Sequence, residues 1–458
     1  MRVQSDRMRS GPLLPNIIRY AIPVMLTTLM QLLFNAADLA VVGQFCGSVS
    51  VAAVGSTGAL THLFVNCFMG LSVGTGVMVA QGLGSGDSET VHRTVHTALP
   101  AALCSGVVLT VMGVVLCEPF LRLMDTPENV LPLSALYMRV YFCGITFNLV
   151  YNFCAAVLRA VGDTKSPLLF LSLSGVLNVA LNVVFVTVLR MDVAGVALAT
   201  TLSQGMAAVL VVRALIRRTD ECKLELKKMH IYKKQLLRMM RIGMPAGLQS
   251  SMFSISNMTI QSSINSFGDV FMSGNTAASS IEGFLGATVT CFHQAALNFI
   301  GQNVGAKQFK RVQQTLWLSM ASATVMALCV GVPAWIFGEQ LLSIYISDSP
   351  QAIAYGMVRI ATNFLPYCLY GFTEVTSGAL RGLGTAMAPM MISLVGICGF
   401  RVLWIMTVFQ IPQFHTPRCL YLSFPLSWAL TAAVQLVAFL LLCRKRERRL
   451  AASERTIH

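Results

Sequence analysis

One carboxylate lies in an otherwise uncharged stretch near the start of the chain. Asp38, in FNAADLAVVG, is the sole charged side chain between Tyr20 and Val42. At about 100° per residue of a helix, it shares a face with Gln31 and Asn35. A carboxylate inside a membrane span costs roughly 2.5–3.5 kcal/mol, so this polar stripe is expected to face a bundle interior or a wet cavity. The stripe predicts a site where Asp38 binds and releases a cation; the alternative is a hydrogen-bonded cluster that holds helices together.

Two asparagines further along the chain have the chemistry to complete such a site. Asn178 and Asn182, in LNVALN, are four residues apart and share one face of a predicted helix. An oxygen-rich set of low charge suits Na⁺, whereas a carboxylate removed from water also takes up H⁺. Hydrogen bonding between helices explains the asparagines equally well. We predict Na⁺ or H⁺ as the ion bound there, with any Na⁺ held by Asp38, Asn35, Asn178 and Asn182, and with Gln31 as a further residue of the ion site.

Other polar residues inside predicted spans are candidates for contacts with a bound small molecule. Besides Asp38, the acidic residues well inside predicted spans are Glu282 and Glu374. Each is expected either to bind a cationic substrate or to be buried with a structural partner. Arg401 is a candidate partner for both glutamates, and the sequence does not decide between them. The predicted substrate-binding residues are Glu374, Glu282, Asn152 and His62, although a neutral, packed histidine is the simpler interpretation of His62.

No pattern in the sequence indicates an enzyme or a bound cofactor. The 13 cysteines include no C-x-x-C pair, so a zinc or redox site is not indicated. The motif G-L-S-V-G at 70–74 matches a nucleophile pattern, but it lies in an apolar helix, where small residues permit close helix packing. The glycine-rich segment 82–86 lacks the Lys-Ser/Thr of a phosphate loop. A nucleotide-binding site is therefore not indicated either.

The elements that position these residues are predicted to be transmembrane helices. Hydrophobic residues make up 55% of the chain and charged residues 11%, and uncharged apolar runs of about 20 residues recur, which is the length that crosses a bilayer. An all-α polytopic membrane protein is predicted. The twelve predicted spans are 16–42, 50–78, 93–116, 131–157, 167–189, 194–215, 240–264, 271–298, 313–337, 352–379, 388–409 and 418–443.

Basic residues are concentrated in segments on one side of these spans. On the opposite side only Arg122, Arg190 and Arg418 are expected, so both termini are predicted to be cytoplasmic. The net charge of +14 arises from clusters beside apolar runs, which is typical of anchors to anionic lipid. Membrane lipid is therefore an expected partner and nucleic acid is not.

The chain contains an internal repeat. LRAVGDTKSPLLF from Leu158 resembles LRGLGTAMAPMMI from Leu380, and YAIPVMLTTLMQLLFN from Tyr20 resembles IGMPAGLQSSMFSISN from Ile242. These matches lie 222 residues apart, and six spans per half predict a parallel repeat. The predicted organisation is an N-terminal six-helix bundle at 1–215, a cytoplasmic linker at 216–239, a C-terminal six-helix bundle at 240–443 and a basic cytoplasmic tail at 444–458.

In these features the sequence resembles the multidrug and toxic compound extrusion (MATE) family of secondary transporters. The resemblance is carried by Q-x-x-x-N-x-x-D-x-x-x-x-G at 31–43, G-L-S-V-G at 70–74, LRAVGD at 158–163, GQNVG at 301–305 and LRGLG at 380–384. It implies two pseudo-symmetric bundles around a V-shaped cleft in the cell membrane, which export amphiphilic organic cations in exchange for inward Na⁺ or H⁺. A monomer would suffice for this architecture.

The sequence also departs from the pattern of some family members. Acidic residues that those members carry in the seventh and tenth spans are absent near 253–257 and 370–371, and Asn182 replaces one in the fifth span. Coupling through those positions is therefore not expected here. A flippase for lipid-linked saccharides with the same fold is the alternative function, although few basic residues in the first-half spans are available to bind a pyrophosphate.

Overall fold

The computed structural model describes residues 8–124, 126–346 and 349–455, and they are almost entirely helical. No β-strand occurs within these ranges. The helices of the first half are α1 Leu13–Phe45, α2 Ser48–Ser85, α3 Ser88–Leu123, α4 Leu131–Val161, α5 Lys165–Val183 and α6 Asp192–Ile216. Those that follow are α7 Lys233–Asn265, α8 Asp269–Gly305, α9 Phe309–Ile336, α10 Gly338–Tyr345, α11 Pro350–Asn363, α12 Tyr367–Gly382, α13 Met387–Ser393, α14 Phe400–Met406 and α15 Pro417–Arg455.

The prediction of an all-α membrane protein is confirmed. Within the described ranges, nine helical stretches are long and apolar enough to cross a membrane. They correspond to the first six predicted spans and to the ninth, eleventh and twelfth. The predicted seventh and eighth spans lie in α7 and α8, which are long helices with more polar side chains.

The predicted tenth span, 352–379, is not one continuous helix. It is divided between α11 and α12, with a turn at 364–366. Pro366 has no N–H to donate and disfavours helical geometry at the residue before it, which accounts for the break. Two other predicted spans contain wide π-helical turns, at Val184–Val188 after α5 and at Leu394–Gly399 between α13 and α14.

The repeat is visible in how two equivalent helices end. Gly162 follows α4 with φ 97°, and Gly384 follows α12 by two residues with φ 83°. Left-handed backbone of this kind strains any residue with a Cβ, so the glycines of LRAVGD and LRGLG permit the same turn in each half.

The chain forms two compact units, and the division falls inside helices. The first unit comprises residues 26–251, and the second comprises 8–25 with 252–455. Helices α1 and α7 therefore each contribute to both units, and each contains a proline nearby, Pro23 and Pro245. In the second unit the start of α1 is held by a hydrogen bond of 2.7 Å from Asn298 Nδ2 to Tyr20 Oη. The predicted bundles 1–215 and 240–443 remain a proposal as domains.

Helices α2 and α7 pack in close backbone contact within the first unit. A Cβ built on Gly70 would overlap the backbone of Gly243 and Gly247, and one on Gly74 would overlap the backbone of Met239. Only glycines permit this approach, which confirms the packing interpretation of the motif at 70–74.

The segment between α6 and α7 is anchored to the start of α3. Glu225 N donates to His96 Nε2 at 3.1 Å, and Tyr232 N donates to Thr97 Oγ1 at 3.3 Å. Within the segment Arg218 forms an ion pair with Asp220. Burial alone raises the pKa of the Asp220 carboxyl, but hydrogen bonding and charge from Arg218 outweigh it, and the resulting pKa lies below the usual value.

Candidate functional site

A polar cavity of about 410 Å³ lies within the first unit, between helices α1, α2, α4, α5 and α6. Asp38 is the one charged side chain among the described residues that line it, and no lysine or arginine does so. The sequence-predicted residues on its wall are Gln31, Asn35, Asp38, His62, Asn152 and Asn178. The cavity thus brings together most of the residues that the polar pattern singled out.

The carboxylate of Asp38 is held by side chains from two other helices. Asn182 Nδ2 donates a hydrogen bond to Asp38 Oδ1, and Thr200 Oγ1 donates to Asp38 Oδ2 at 3.4 Å. Asn178 Nδ2 donates to Thr200 Oγ1 at 3.3 Å, and Asn182 Nδ2 also lies 3.4 Å from Asn178 Oδ1. Helices α1, α5 and α6 therefore meet in one polar network around a carboxylate.

One oxygen in this network lacks a partner. Asn182 is fully buried, and its Oδ1 accepts no hydrogen bond from any described residue. A buried acceptor without a hydrogen bond costs free energy of folding. A proton or cation beside Asp38 would stabilise the Oδ1 of Asn182 by giving this oxygen a partner. Asp38, Asn178, Asn182 and Thr200 all carry side-chain oxygens, the type of ligand that a hard cation such as Na⁺ prefers. In the described part of the chain, no cluster of three His, Cys, Asp or Glu residues could hold a metal ion.

The remaining members of the predicted stripe, Gln31 and Asn35, line the cavity and make no hydrogen bond to Asp38 among the described residues. Gln31 and Asn35 are exposed on its wall. Asn152 Nδ2 instead donates to its own helix, at Asn148 O, 2.8 Å away. Thr200 was not predicted, because a threonine in an apolar helix usually bonds its own backbone, as this one also does at Val196 O, 3.0 Å away.

A second cavity, of about 350 Å³, lies within the second unit and has a different character. Its charged lining residues are Glu282, Arg359 and Arg401, accompanied by aromatic side chains. Arg359 Nε donates to Glu282 Oε2 at 2.8 Å, so the partner of Glu282 is Arg359. Arg401 Nε donates to Ser427 Oγ at 3.0 Å. Arg401 is therefore not the partner of Glu282, which the sequence had left open.

Glu374 lines neither of these cavities. It is partly buried in the second unit, where its Oε2 lies 3.2 Å from His293 Nδ1. His293 Nε2 in turn lies 3.4 Å from Arg381 Nη1. This surrounding network favours the structural alternative for Glu374, and its predicted contact with a substrate remains a proposal.

The two cavities occupy equivalent positions in the two halves of the repeat. More than half of the residues lining the second cavity lie 222 positions after residues lining the first. The pairs are Gln31/Phe253, Phe34/Ser256, Asn35/Asn257, Asp38/Ile260, Thr61/Gly283, Tyr137/Arg359, Ile145/Tyr367, Asn148/Tyr370 and Gly175/Ile397. The two halves of the repeat thus form equivalent cavities whose lining residues carry different charges.

Long apolar helices in two repeated halves, each with a polar cavity, define a multi-pass membrane transporter. The family model MatE matches residues 23–184 and 245–406, so both matches begin and end 222 positions apart. The chain belongs to this family, whose members are the multidrug and toxic compound extrusion transporters, and the resemblance read from the motifs is confirmed.

Individual relatives agree with this assignment. The chain is 30% identical over 387 residues to the probable multidrug resistance protein YpnP of Bacillus subtilis (strain 168), covering 84% of this chain and 86% of that one. It is 27% identical over 396 residues to the probable multidrug resistance protein YoeA of the same organism, covering 84% of each. A crystal structure of MATE in the bent conformation superimposes with a TM-score of 0.88 at 22% identity, covering 98% of this chain and 99% of that one.

Proposed function

We propose that this transporter exports amphiphilic organic cations across the cell membrane in exchange for inward Na⁺ or H⁺. The observation that carries the proposal is the Asp38 carboxylate, which lies in a polar cavity of the first unit beside the unpartnered Oδ1 of Asn182. The names of the relatives as multidrug resistance proteins support export of drug-like molecules.

Asp38 is the proposed coupling site because it has two ways to lose its charge. A proton on its carboxyl would donate to an amide oxygen, and Na⁺ would be bound by the carboxylate with the oxygens of Asn178, Asn182 and Thr200. Either event removes an uncompensated charge from the membrane interior. Closing the helices around the neutralised site then costs less than closing them around a free carboxylate.

Antiport requires only that ion and substrate favour opposite-facing states of the protein. Helix α1 carries Asp38 and also Pro23, which cannot donate to the carbonyl of Arg19. Prolines inside helices are sites of bending. We propose that α1 bends there as the occupancy of Asp38 changes.

The first cavity also suits an organic cation. Its negative charge comes from Asp38, and its lining includes the rings of Tyr137, Tyr141 and Phe34, which attract cations through their π-faces. His62 and Asn152 are proposed as further substrate contacts. Competition between substrate and ion for Asp38 would couple their movements directly.

The alternative function, a flippase for lipid-linked saccharides, requires a basic cavity for phosphate. The first cavity has no lysine or arginine among its described lining residues, which counts against it there. The arginines of the second cavity are the one observation in its favour.

Transport by the purified protein in proteoliposomes tests the proposal. With ethidium as the probe, an imposed Na⁺ or H⁺ gradient of the correct direction is expected to drive accumulation against the ethidium gradient. Liposomes without protein, and proteoliposomes with the ion gradient collapsed, are the controls. Ethidium movement that is unaffected by both ion gradients would refute ion-coupled export, and flipping of a lipid-linked saccharide without ethidium transport would establish the alternative.

A further inference from the structure

We propose that the second cavity binds an organic anion, a carboxylate or phosphate group attached to an aromatic body, through the guanidinium of Arg401. This goes beyond the proposed export of cations. It concerns residues of the second unit alone and does not depend on Asp38, so the two proposals fail or succeed independently.

The charges in the cavity leave one arginine in excess. Of the three charged lining residues, Glu282 and Arg359 form an ion pair at 2.8 Å. A second guanidinium nitrogen of Arg359, Nη1, donates to Asn275 Oδ1. These two residues therefore neutralise each other, and the positive charge of Arg401 has no carboxylate bonded to it among the described residues.

Arg401 is held in a fixed orientation, and part of its guanidinium group remains available to donate hydrogen bonds. It is 5% exposed, its guanidinium carbon lies 4.1 Å from the centroid of the Phe424 ring, and its Nε is bonded to Ser427 Oγ. Its two terminal nitrogens make no hydrogen bond to any described residue. A buried cation without acceptors is costly, and the two free donors match the geometry with which guanidinium groups bind carboxylate or phosphate.

The neighbouring walls suit an aromatic body. Trp428 lies 5.9 Å from the Arg401 guanidinium carbon and is surrounded by Tyr367, Tyr370 and Phe424 at ring-centroid distances of 5.4–5.9 Å. All four aromatic side chains line the cavity. Offset or edge-to-face packing on such rings adds binding energy beyond simple burial. A flat aromatic ring with one anionic group therefore fits both the chemistry and the walls of this pocket.

The repeat gives independent support, because the two equivalent cavities differ in the sign of their charge. Where the first cavity has Asp38, the second has Ile260, and where the first has Tyr137, the second has Arg359. The charged lining residues sum to one negative charge in the first cavity, from Asp38, and to one positive charge in the second, from Glu282, Arg359 and Arg401. General packing needs of the fold do not account for that reversal, since the same fold is built in both halves.

Isothermal titration calorimetry on the full chain in phosphatidylcholine nanodiscs tests the proposal with four naphthalene probes. 1-Naphthoate and 1-naphthyl phosphate are expected to bind, and 1-naphthalenemethanol and 1-naphthylmethylammonium to bind roughly tenfold or more weakly, because only the anions use the charge-assisted donors of Arg401. Equal affinity for the anions and the neutral alcohol would overturn the proposal. Anion binding in detergent that disappears in the nanodiscs would show that a lipid phosphate takes the site, and would also overturn it.

Variants assign the binding to Arg401. Arg401→Gln is expected to weaken naphthoate binding by roughly tenfold or more, and Arg401→Lys, which keeps the charge but not the paired donors, by less. Arg381→Gln is the matched control, because it removes another buried arginine of the same unit that does not line the cavity. Wild-type affinity in Arg401→Gln would overturn the assignment. If that variant does not elute as a single folded species, the lysine variant and the comparison of probes on the wild type decide.

Discussion

Asn182 Nδ2 donates a hydrogen bond to Asp38 Oδ1, although the two residues are 144 positions apart in the chain. The bond joins α5 to α1 and orients the carboxylate towards Thr200 on α6. Hydrogen bonds from two helices thus converge on one side chain of a third. The proposed binding of a proton or an ion at Asp38 would therefore act directly on the contacts among all three.

Asp38→Asn is expected to abolish gradient-driven export while leaving folding largely intact. An amide keeps a similar size and can still hydrogen bond Asn182, but it has no carboxyl group to protonate and no negative charge to hold Na⁺ in the membrane interior. Ethidium transport in proteoliposomes under an ion gradient measures the effect, with Asp269→Asn, which makes the same chemical change at the start of α8 outside both cavities, as the control. If Asp38→Asn concentrates ethidium at near the wild-type rate, Asp38 is structural.

The distribution of basic residues predicts that both termini and the segment after α6 lie in the cytoplasm. Reporter fusions at Arg218 and Arg444 are expected to be active on the cytoplasmic side, and a fusion near Pro127 on the external side. An external signal from the fusion at Arg218 would show that the predicted orientation is inverted.

Gly70→Ala is expected to destabilise the first unit, because the added Cβ overlaps the backbone of α7 at Gly243 and Gly247. Overpacking of this kind typically costs about 1–3 kcal/mol. Gly58→Ala in the same helix is the matched control, since a Cβ there meets nothing within 4 Å. Thermal unfolding in detergent should give a lower Tm for the first variant and an unchanged or higher Tm for the second. Equal Tm values would contradict the close contact.

Glu282→Gln is expected to destabilise the second unit, because it leaves the Arg359 guanidinium buried without its carboxylate. Breaking a buried ion pair by removing one partner costs about 3–5 kcal/mol. Glu118→Gln provides the comparison, since Glu118 pairs with Arg122 and Arg139 at the surface, where water replaces lost contacts. The fall in Tm should be clear for the buried pair and slight for the exposed one; the reverse order would refute this account.

The ion pair between Arg218 and Asp220 predicts a loss of stability in acid. The folded pKa of Asp220 lies below its usual value of 3.8, so its contribution is present above pH 3.8 and is lost as the pH falls through the folded pKa. Asp220→Asn should remove this part of the pH dependence of Tm, measured between about pH 6 and pH 3. Glu221→Gln, a change at the adjacent residue, is the control and should retain the wild-type dependence. An identical acid response in Asp220→Asn would show that the pair contributes nothing to stability.

The sequence by itself determined the class of the fold and the centre of the first cavity. Apolar runs of membrane-spanning length, the 222-residue repeat and the polar stripe around Asp38 are local or periodic properties, so they can be recognised without a structure. The i, i+4 spacing of Asn178 and Asn182 placed both on one helix face. In the structure Asn182 donates to Asp38 directly, and Asn178 donates to Thr200, which in turn donates to Asp38.

Only the tertiary structure decided which polar groups pair across helices. From the sequence, Arg401 was a candidate ion-pair partner for both Glu282 and Glu374. In the structure Glu282 pairs with Arg359, and Glu374 pairs with His293. These choices depend on the rotation and depth of each helix relative to its neighbours, which a hydropathy pattern does not specify. The second cavity, with its excess arginine among aromatic rings, arises from the same packing: residues from 253 to 428 converge there only after the helices assemble.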